Sequence, residues 1–147
     1  MLGYFKNEEA TKATFNNEGW LKTGDLGVID KKGNIFIKGR SKTMILGASG
    51  QNIYPEEIES MINNLDYVAE SLVIEEKGRL IALIFPDHEK MQKDGIQQDQ
   101  ISQIFDEELK PLNKRLPNYS KIAQIRVRDT EFEKTPKRSI KRFLYQS

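Results

Sequence analysis

Short apolar runs separated by turn residues begin the patterned part of the chain. The runs LGVID and NIFIKG flank the turn KKG, and two such runs around a glycine-bearing turn are typical of a β-hairpin. Gly33 is expected to take the left-handed backbone conformation there. The runs TMIL and QNIY around GASG predict a second, shorter hairpin with a glycine-bounded tip. The residues Met1 to Gly27 are polar and lack a sustained period, which predicts an irregular leader.

Two helices are predicted by apolar residues that recur every three or four positions. The first is expected from about Pro55 to Leu65, because proline suits the first helical position and two following glutamates suit the positive end of the helix dipole. The apolar side of the second helix is expected to carry Ile101, Ile104, Phe105, Leu109, Leu112 and Leu116. Pro111 is expected to kink this helix, because proline removes a backbone donor.

Three further strands are predicted between and after the helices. YVAESLVIE and RLIALIFP bracket the turn EKG, and the second of them is apolar on both faces, which is typical of a central strand. In IAQIRVR the residues Ala123, Ile125 and Val127 alternate with more polar positions, which predicts a half-buried strand. The predicted fold class is therefore α+β, with a small mixed sheet packed by two or three helices.

Composition and charge exclude several classes of function. The 147 residues suit one main domain, and 23 basic residues nearly balance 22 acidic ones, so overall charge gives no reason to expect a nucleic-acid or anionic-membrane partner. The absence of Cys excludes disulfides, thiolate catalysis and Cys-ligated zinc. With His88 as the single histidine, no metal site is expected.

The chain carries no segment that predicts membrane insertion or secretion. Its longest apolar run, LIALIF, is far shorter than the roughly 20 residues that a membrane span requires. The first residues, MLGYFKNEEATK, lack the apolar core of a signal peptide. These features predict a soluble protein, and a cytoplasmic location is compatible with them.

A basic segment near the C-terminus has three interpretations. Five cations fall within nine residues, namely Lys134, Lys137, Arg138, Lys141 and Arg142. The segment could be a solvated tail, or a nucleic-acid contact, although no aromatic stacking platform accompanies it. A third interpretation is that one cation contacts a phosphate, where a lysine supplies a compact, mobile charge.

Four ordered motifs resemble one family. The segments GYFKNEEAT, GWLKTGDLG, IFIKGRSK and GQNIYPEEIE are similar to the C-terminal region of the adenylate-forming enzymes, which include acyl-CoA synthetases, peptide-synthetase adenylation domains and luciferases. The resemblance implies that ATP converts a carboxylate into an acyl-adenylate with loss of pyrophosphate, and that the acyl group then passes to a thiol such as coenzyme A. It also implies a small C-terminal domain that rotates between these half-reactions.

The resemblance assigns nucleotide contacts to two residues. In the TGD motif the acid holds the two ribose hydroxyls, so Asp25 inherits that role, and Arg40 of the GR motif inherits contact with the ribose and phosphate region. The chemistry suits these roles, because a carboxylate can accept from two vicinal hydroxyls and a guanidinium can span adjacent oxygens. Without the resemblance, Asp25 would be interpreted as a turn residue and Arg40 as part of a surface ion pair.

The resemblance also places a hinge and a thiol-side loop. Lys42 occupies the hinge position, so residues 1–41 are expected to end the large N-terminal domain and residues 42–147 to form the small mobile domain. A hinge requires only a few dihedral angles to change. The segment GASGQ corresponds to the loop that lines the thiol tunnel, where Gly47 and Gly50 would let backbone pass close to pantetheine. Alternatively, these glycines form an ordinary hairpin tip.

The catalytic lysine of the family lies near the C-terminus, after a Pro and a Ser-Gly pair. Here TPKRSIKR makes Lys141 the best match, although Ile140 replaces the usual glycine and the spacing from the proline is one residue shorter. Lys137 remains a second candidate. The Ser-Ile-Lys form of the motif, together with NIYPEEIE, resembles the bacterial long-chain fatty-acid CoA ligases more than the peptide synthetases.

Motifs of the family's large N-terminal domain are missing from the chain. No glycine-rich phosphate loop, adenine-binding aromatic motif or acyl pocket is found. The chain is therefore predicted to be a C-terminal fragment of a long-chain fatty-acid CoA ligase, inactive alone. ATP, Mg²⁺, coenzyme A and the fatty acid are expected to be bound mainly by the missing domain, with no nucleic acid as partner and with peripheral membrane contact left open. The alternatives are a stand-alone interaction module on the same small fold, or another branch such as a peptide synthetase or acyl-ACP ligase.

Overall fold

The computed structural model describes residues 1–47 and 49–146, and the chain divides into two compact units. The first unit is Met1–Thr43, and the second begins at Met44. Each unit is built from its own elements, so the two are described separately.

A short helix, α1 (Glu8–Thr14), lies in the first unit. Its N-terminus is capped by the Asn7 side chain, which accepts a hydrogen bond from the amide of Ala10 at 2.9 Å, and acidic residues occupy its first turn. These are strong local signals for a helix start. The predicted irregular leader is therefore wrong over these residues, because a helix of two turns is too short to show the apolar repeat on which the prediction relied.

The first predicted hairpin is confirmed. It consists of β1 (Asp25–Ile29) and β2 (Ile35–Arg40), which pair antiparallel. Gly33 has a φ of 84° as expected for the turn. The Asp30 carboxylate accepts hydrogen bonds from the amides of Lys32 and Asn34, so the turn is stabilised by its own residues.

The first unit buries none of its residues. All residues from 1 to 43 are at least partly exposed. Several large apolar side chains of the hairpin are between 51% and 68% exposed, namely Val28, Ile29, Ile35, Phe36 and Ile37. Apolar exposure of this density on one small element is typical of a surface that another protein part covers.

The second unit begins with a short hairpin and a helix, both predicted. Strands β3 (Ile45–Leu46) and β4 (Asn52–Ile53) pair antiparallel, although part of the predicted GASG tip, Ala48, lies outside the described residues. Helix α2 (Pro55–Ile62) starts at the predicted proline and ends three residues before the predicted end. Its C-cap is Asn63, whose amide still donates to the Glu59 carbonyl at 2.8 Å.

A three-stranded mixed sheet forms the centre of the second unit. Strand β6 (Arg79–Pro86) lies between β5 (Val68–Glu76) and β7 (Ile122–Val127), as its two apolar faces predicted. It pairs antiparallel with β5 and parallel with β7. The predicted α+β fold class, with a small mixed sheet, is confirmed.

Two further helices connect β6 to β7. The unpredicted α3 (His88–Asp94) is capped by the Asp87 side chain and buries only Met91, so it has little apolar pattern. The predicted second helix is α4 (Gln98–Arg115), which contains Pro111. The kink at this proline stays a prediction. Short 3₁₀ turns follow at Asn118–Ser120 and Arg142–Leu144.

The alternation predicted for β7 is wrong in detail. Ile122 and Ile125 are buried, whereas Ala123 and Gln124 are exposed. Leu80 pairs with Ile122, but the next residue of β6 pairs with Gln124, so one extra residue is inserted in β7. A bulge of this kind interrupts the two-residue period, which is why two isoleucines three positions apart reach the same core.

The sheet is covered on both faces. On one face the helices pack over a core that includes Ile58, Ile62, Val73, Ile84, Phe105 and Leu112. On the other face a smaller core is formed by Leu72, Ile74, Ile81, Leu83 and Phe132, with Phe85, Ile140 and Tyr145 packed against it. The C-terminal segment therefore covers the sheet, and the interpretation of it as a solvated tail is wrong.

Candidate functional site

Asp25 and Arg40 are brought together by the register of the first hairpin. They are directly opposite residues at the open end of β1 and β2. An oxygen of the Asp25 carboxylate lies 2.5 Å from the Arg40 guanidinium, and Arg40 also donates to the Thr23 carbonyl at 3.5 Å. The arginine side chain is 62% exposed. The pair therefore presents a carboxylate and a guanidinium side by side to solvent.

The electrostatics of this pair keep the acid ionised. The hydrogen bond from Arg40 is the main cause that lowers the pKa of Asp25 below its ordinary value, and the hydroxyl of Thr23 acts in the same direction. The same hydrogen bond, which Arg40 donates to the Asp25 carboxylate, is the main cause that raises the pKa of Arg40. An ionised carboxylate is an acceptor only, which is the form that can receive two hydroxyl hydrogens.

Lys42 lies in the turn that follows β2. It is exposed, and the turn is closed by hydrogen bonds from the Thr43 amide and hydroxyl to the Arg40 carbonyl, at 3.2 Å and 3.0 Å. The boundary between the two compact units falls after Thr43, one residue beyond Lys42. Whether Lys42 is a hinge stays a prediction.

Gly47 and Gly50 face each other across the tip of the second hairpin. The amide of Gly50 donates to the Gly47 carbonyl, and the amide of Gly47 donates to the Gln51 carbonyl, both at 2.8 Å. Gly50 has a φ of 78°, which favours glycine. A Cβ on Gly47 would lie 3.1 Å from the Ile53 side chain and 3.3 Å from the Gln51 carbonyl oxygen. The backbone conformation of the turn therefore favours glycine at position 50, and the close neighbours of Gly47 leave little room for a side chain at position 47.

A cavity of about 410 Å³ lies beside this hairpin. Gly47 and Ser49 line one side of it, and Tyr119 and Lys121 from the stretch before β7 line another. The lining mixes apolar surface with hydroxyl and ammonium groups. Such a mixture suits a ligand that has both apolar and polar groups.

Lys141 and Lys137 have different surroundings in the C-terminal segment. The ammonium of Lys141 lies 3.2 Å from the Glu133 carboxylate, and its side chain is 34% exposed. Its amide donates to the Glu133 carbonyl at 2.8 Å. Lys137 is exposed on the tight turn between Thr135 and Ser139. The main chain therefore holds Lys141 in place, while Lys137 projects from the turn.

Sequence reasoning missed a buried ion pair next to Lys141. The Arg142 guanidinium is hydrogen-bonded to the Glu59 carboxylate of α2, and it lies 3.9 Å from the Glu56 carboxylate. Burial raises the pKa of Glu59, while Arg142 and the Val73 amide oppose that rise. One signal was available: Glu59 shares a helical face with the buried residues Pro55 and Ile62. A charged residue on such a face requires a partner.

Two structural findings bear on cofactors and membranes. Among residues 1–47 and 49–146, no group of three or more His, Cys, Asp or Glu side chains is arranged to hold a metal ion. Over the same residues, every helix is too short or too polar to span a bilayer.

Comparisons with known proteins identify the family. The family model of the AMP-binding enzyme C-terminal domain matches residues 42–146. The long-chain-fatty-acid–CoA ligase FadD13 of Mycobacterium tuberculosis is 45% identical over 85 residues, which is 55% of this chain and 16% of that protein. The long-chain-fatty-acid–CoA ligase heimdall of Drosophila melanogaster is 34% identical over 126 residues, or 84% of this chain and 18% of that protein.

A solved structure agrees with this result. The o-succinylbenzoate CoA synthetase MenE from Bacillus subtilis, in complex with the acyl-adenylate intermediate OSB-AMP, superposes with a TM-score of 0.70 and 30% identity. The match covers 97% of this chain and 27% of that one. The chain belongs to the family of AMP-binding enzyme C-terminal domains. The matches span between 11% and 18% of the length of curated relatives such as FadD13 and heimdall.

Proposed function

We propose that this chain is the C-terminal part of an acyl-CoA ligase, which activates a fatty acid with ATP to an acyl-adenylate and transfers the acyl group to coenzyme A. The observation that carries the proposal is the exposed Asp25–Arg40 pair, whose two side chains offer the acceptor and donor that a ribose phosphate requires. The relatives FadD13 and heimdall, both named as long-chain ligases, support a fatty acid as the substrate. We also propose a cytoplasmic location, which suits a chain without cysteine.

In the proposed nucleotide contact, Asp25 accepts hydrogen bonds from the two ribose hydroxyls and Arg40 donates to the ribose and phosphate oxygens. The two side chains are already adjacent, so little rearrangement is needed before a ligand is bound. An exposed ion pair is weak, so the ligand can replace part of it at small cost. Asp25 and Arg40 can therefore pair with each other in the absence of a ligand and contact the nucleotide when it binds.

Lys141 is the proposed catalytic lysine. Its ammonium would stabilise negative charge that develops on the α-phosphate and carboxylate oxygens during adenylation, which is the type of stabilisation that gives a large rate effect. In the structure this ammonium contacts Glu133 and remains accessible to solvent. The salt bridge to Glu133 is exposed enough to exchange for a ligand.

We propose that the second half-reaction uses the tip of the second hairpin, between β3 and β4. Rotation at Lys42 would carry Lys141 away and bring the loop with Gly47 and Gly50 to the thiol. The cavity beside this loop, with its mixed lining, suits the amide-containing arm of pantetheine.

The exposed apolar side chains of the first hairpin support the presence of a large partner domain. A unit in which no residue from 1 to 43 is buried has no core of its own. We propose that the rest of the ligase's large N-terminal domain covers this surface and supplies the ATP and fatty-acid sites. The described residues do not fit a Mg²⁺ site of their own, so no step is assigned to the ion.

The test uses a ligase made by joining this chain to the large domain of the FadD13 relative, in place of that protein's matching segment; we call it the joined ligase. Lys141→Ala should cost roughly 2 to 4 kcal/mol of transition-state stabilisation, as loss of a dedicated electrostatic donor does. ATP–pyrophosphate exchange should therefore fall on the order of a hundredfold or more. Thioester formation from preformed acyl-adenylate should continue.

Lys137→Ala is the matched control, because Lys137 has the same charge four positions away. It should leave exchange nearly unchanged. A severe loss in Lys137→Ala would move the catalytic role to that residue. Full exchange in both variants would show that neither lysine acts in adenylation.

A further inference from the structure

The edge of the sheet next to Lys141 is closed by side chains. Strand β5 is an outer strand, so alternate residues direct their amide and carbonyl away from β6. At Val73, the amide donates to a Glu59 oxygen at 2.7 Å, and the carbonyl accepts from the Arg142 guanidinium at 3.4 Å. The same two side chains are hydrogen-bonded to each other. Together they occupy the position that a neighbouring strand would take.

The hydrogen-bonded side chains of Glu59 and Arg142 on the edge of β5, which we call the bracket, are largely protected from water. The side chains of Arg142 and Glu59 are 16% and 11% exposed. Both Glu59 oxygens accept from donors, one from Val73 and one from Arg142. A buried charge is stable only when it is paired and hydrogen-bonded, and breaking one partner leaves the other uncompensated. The bracket therefore resists local opening.

The two sequence neighbours of Lys141 are both fixed, one by the sheet and the other by the bracket. Ile140, immediately before it, packs on the second face of the sheet, and Arg142, immediately after it, enters the bracket. A further contact is made by Tyr145, whose hydroxyl accepts from the Glu133 amide at 2.8 Å. The position of the ammonium thus depends on residues far away in the sequence.

We propose that Arg142 and Glu59 are positioning residues: their bracket on the edge of β5 fixes the C-terminal segment so that Lys141 is presented at a defined place. This inference rests on the proposed catalytic role of Lys141. It assigns the bracket no contact with substrate, since its groups are committed to each other and to Val73.

The first measurement is amide hydrogen exchange, followed by NMR, on the chain itself. In Arg142→Met, the amides of Lys141 and Thr135, both hydrogen-bonded within the C-terminal segment, should exchange at least about tenfold faster, because the segment opens locally. Amides of the central strand β6 should change much less. Arg142→Lys keeps a cation and should give an intermediate effect, so the test does not depend on one disruptive variant.

Arg126→Met is the matched control. Arg126 forms an ion pair with Glu76 at 2.5 Å, but this pair is more exposed and lies on β7 and the end of β5. Its loss should leave exchange of the Lys141 amide unchanged. Unchanged exchange at Lys141 in Arg142→Met would overturn the inference, as would an equal acceleration in Arg126→Met.

The second measurement separates positioning from general stability. In the joined ligase, Arg142→Met should lower kcat for adenylate formation by roughly tenfold to a hundredfold, as misplacement of a catalytic group does, with KM for ATP nearly unchanged. Thioester formation from preformed acyl-adenylate should be retained, and Arg142→Lys should recover much of the adenylation rate. Equal losses in both half-reactions would indicate a purely structural role and overturn the inference.

The failure of this inference and the failure of the proposed function give different results. A harmless Lys141→Ala overturns the proposed catalytic role of Lys141, on which this inference rests. A harmful Lys141→Ala, combined with a normal adenylation rate in Arg142→Met, leaves the proposed function in place and overturns the positioning role.

Discussion

Two arginine–carboxylate pairs in this chain have the same chemistry and opposite surroundings. Asp25 and Arg40 are 15 residues apart, meet at the open end of one hairpin, and the arginine is 62% exposed. Glu59 and Arg142 are 83 residues apart, join a helix to the C-terminal segment, and the arginine is 16% exposed. The first pair is open to a ligand, whereas the second is committed to the fold.

The difference in surroundings implies a difference in role. Water screens an exposed pair, so its partners can separate at little cost and bind something else. A buried pair that loses one partner leaves an uncompensated charge, which is strongly destabilising. We therefore propose that the same two functional groups form a binding site in one unit and a positioning device in the other.

The largest expected contrast is in stability. Arg142→Met should lower the free energy of unfolding by roughly 3 kcal/mol or more, because it leaves Glu59 buried without its cation. Arg40→Met should change it by less than about 1 kcal/mol, since the Asp25–Arg40 pair is exposed. Urea unfolding monitored by far-ultraviolet circular dichroism measures both. Equal effects would contradict the distinction between the two pairs.

The next expected contrast is between the two half-reactions, adenylation and thioester formation, when the proposed hinge is made rigid. Proline at Lys42 fixes φ, so Lys42→Pro in the joined ligase should restrict rotation and slow thioester formation by roughly tenfold, about 1.4 kcal/mol, with less effect on adenylation. Separate assays of pyrophosphate exchange and of thioester formation from acyl-adenylate measure this. Equal losses in both would mean that Lys42 is not the pivot.

The smallest contrast is in proton binding, because the pKa values of Asp25 and Glu59 are shifted in opposite directions. The pKa of Asp25 is lowered from its ordinary 3.8, mainly by Arg40, so its contribution to stability is present above that value and is lost as pH falls through the folded pKa. The pKa of Glu59 is raised from its ordinary 4.5, mainly by burial, so its contribution is present below 4.5 and is lost as pH rises through the folded pKa.

Carbon-detected NMR titration of the two carboxyl groups checks these directions. Arg40→Gln should return the pKa of Asp25 toward 3.8. Arg142→Met should raise the pKa of Glu59 further, because it removes an opposing positive charge. A pKa for Glu59 below 4.5 would show that attraction outweighs burial in this pair.

The exposed pair could be predicted from sequence because its geometry is local. Once LGVID and NIFIKG form a hairpin, Asp25 and Arg40 lie at its open end, and a register shift between Leu26 and Gly27 then brings Asp25 directly opposite Arg40 rather than Gly39. The bracket could not be predicted in the same way, because Glu59 and Arg142 are joined only after the sheet and α2 are assembled. Periodicity predicted α2, α4 and β6 but not the bulge in β7, since an inserted residue leaves no repeat in the sequence. The short helix α1 is marked in the sequence only by local signals, its Asn7 cap and the acidic residues of its first turn.

The measurement that tests the central claim most directly is ATP–pyrophosphate exchange by three proteins: this chain alone, the FadD13 large domain alone, and the joined ligase. If the chain is the C-terminal part of an acyl-CoA ligase, exchange with a long-chain fatty acid should be at background for the chain, weak for the large domain, and restored in the joined ligase. Exchange by the purified chain alone, or a joined ligase no more active than the large domain, would contradict the account.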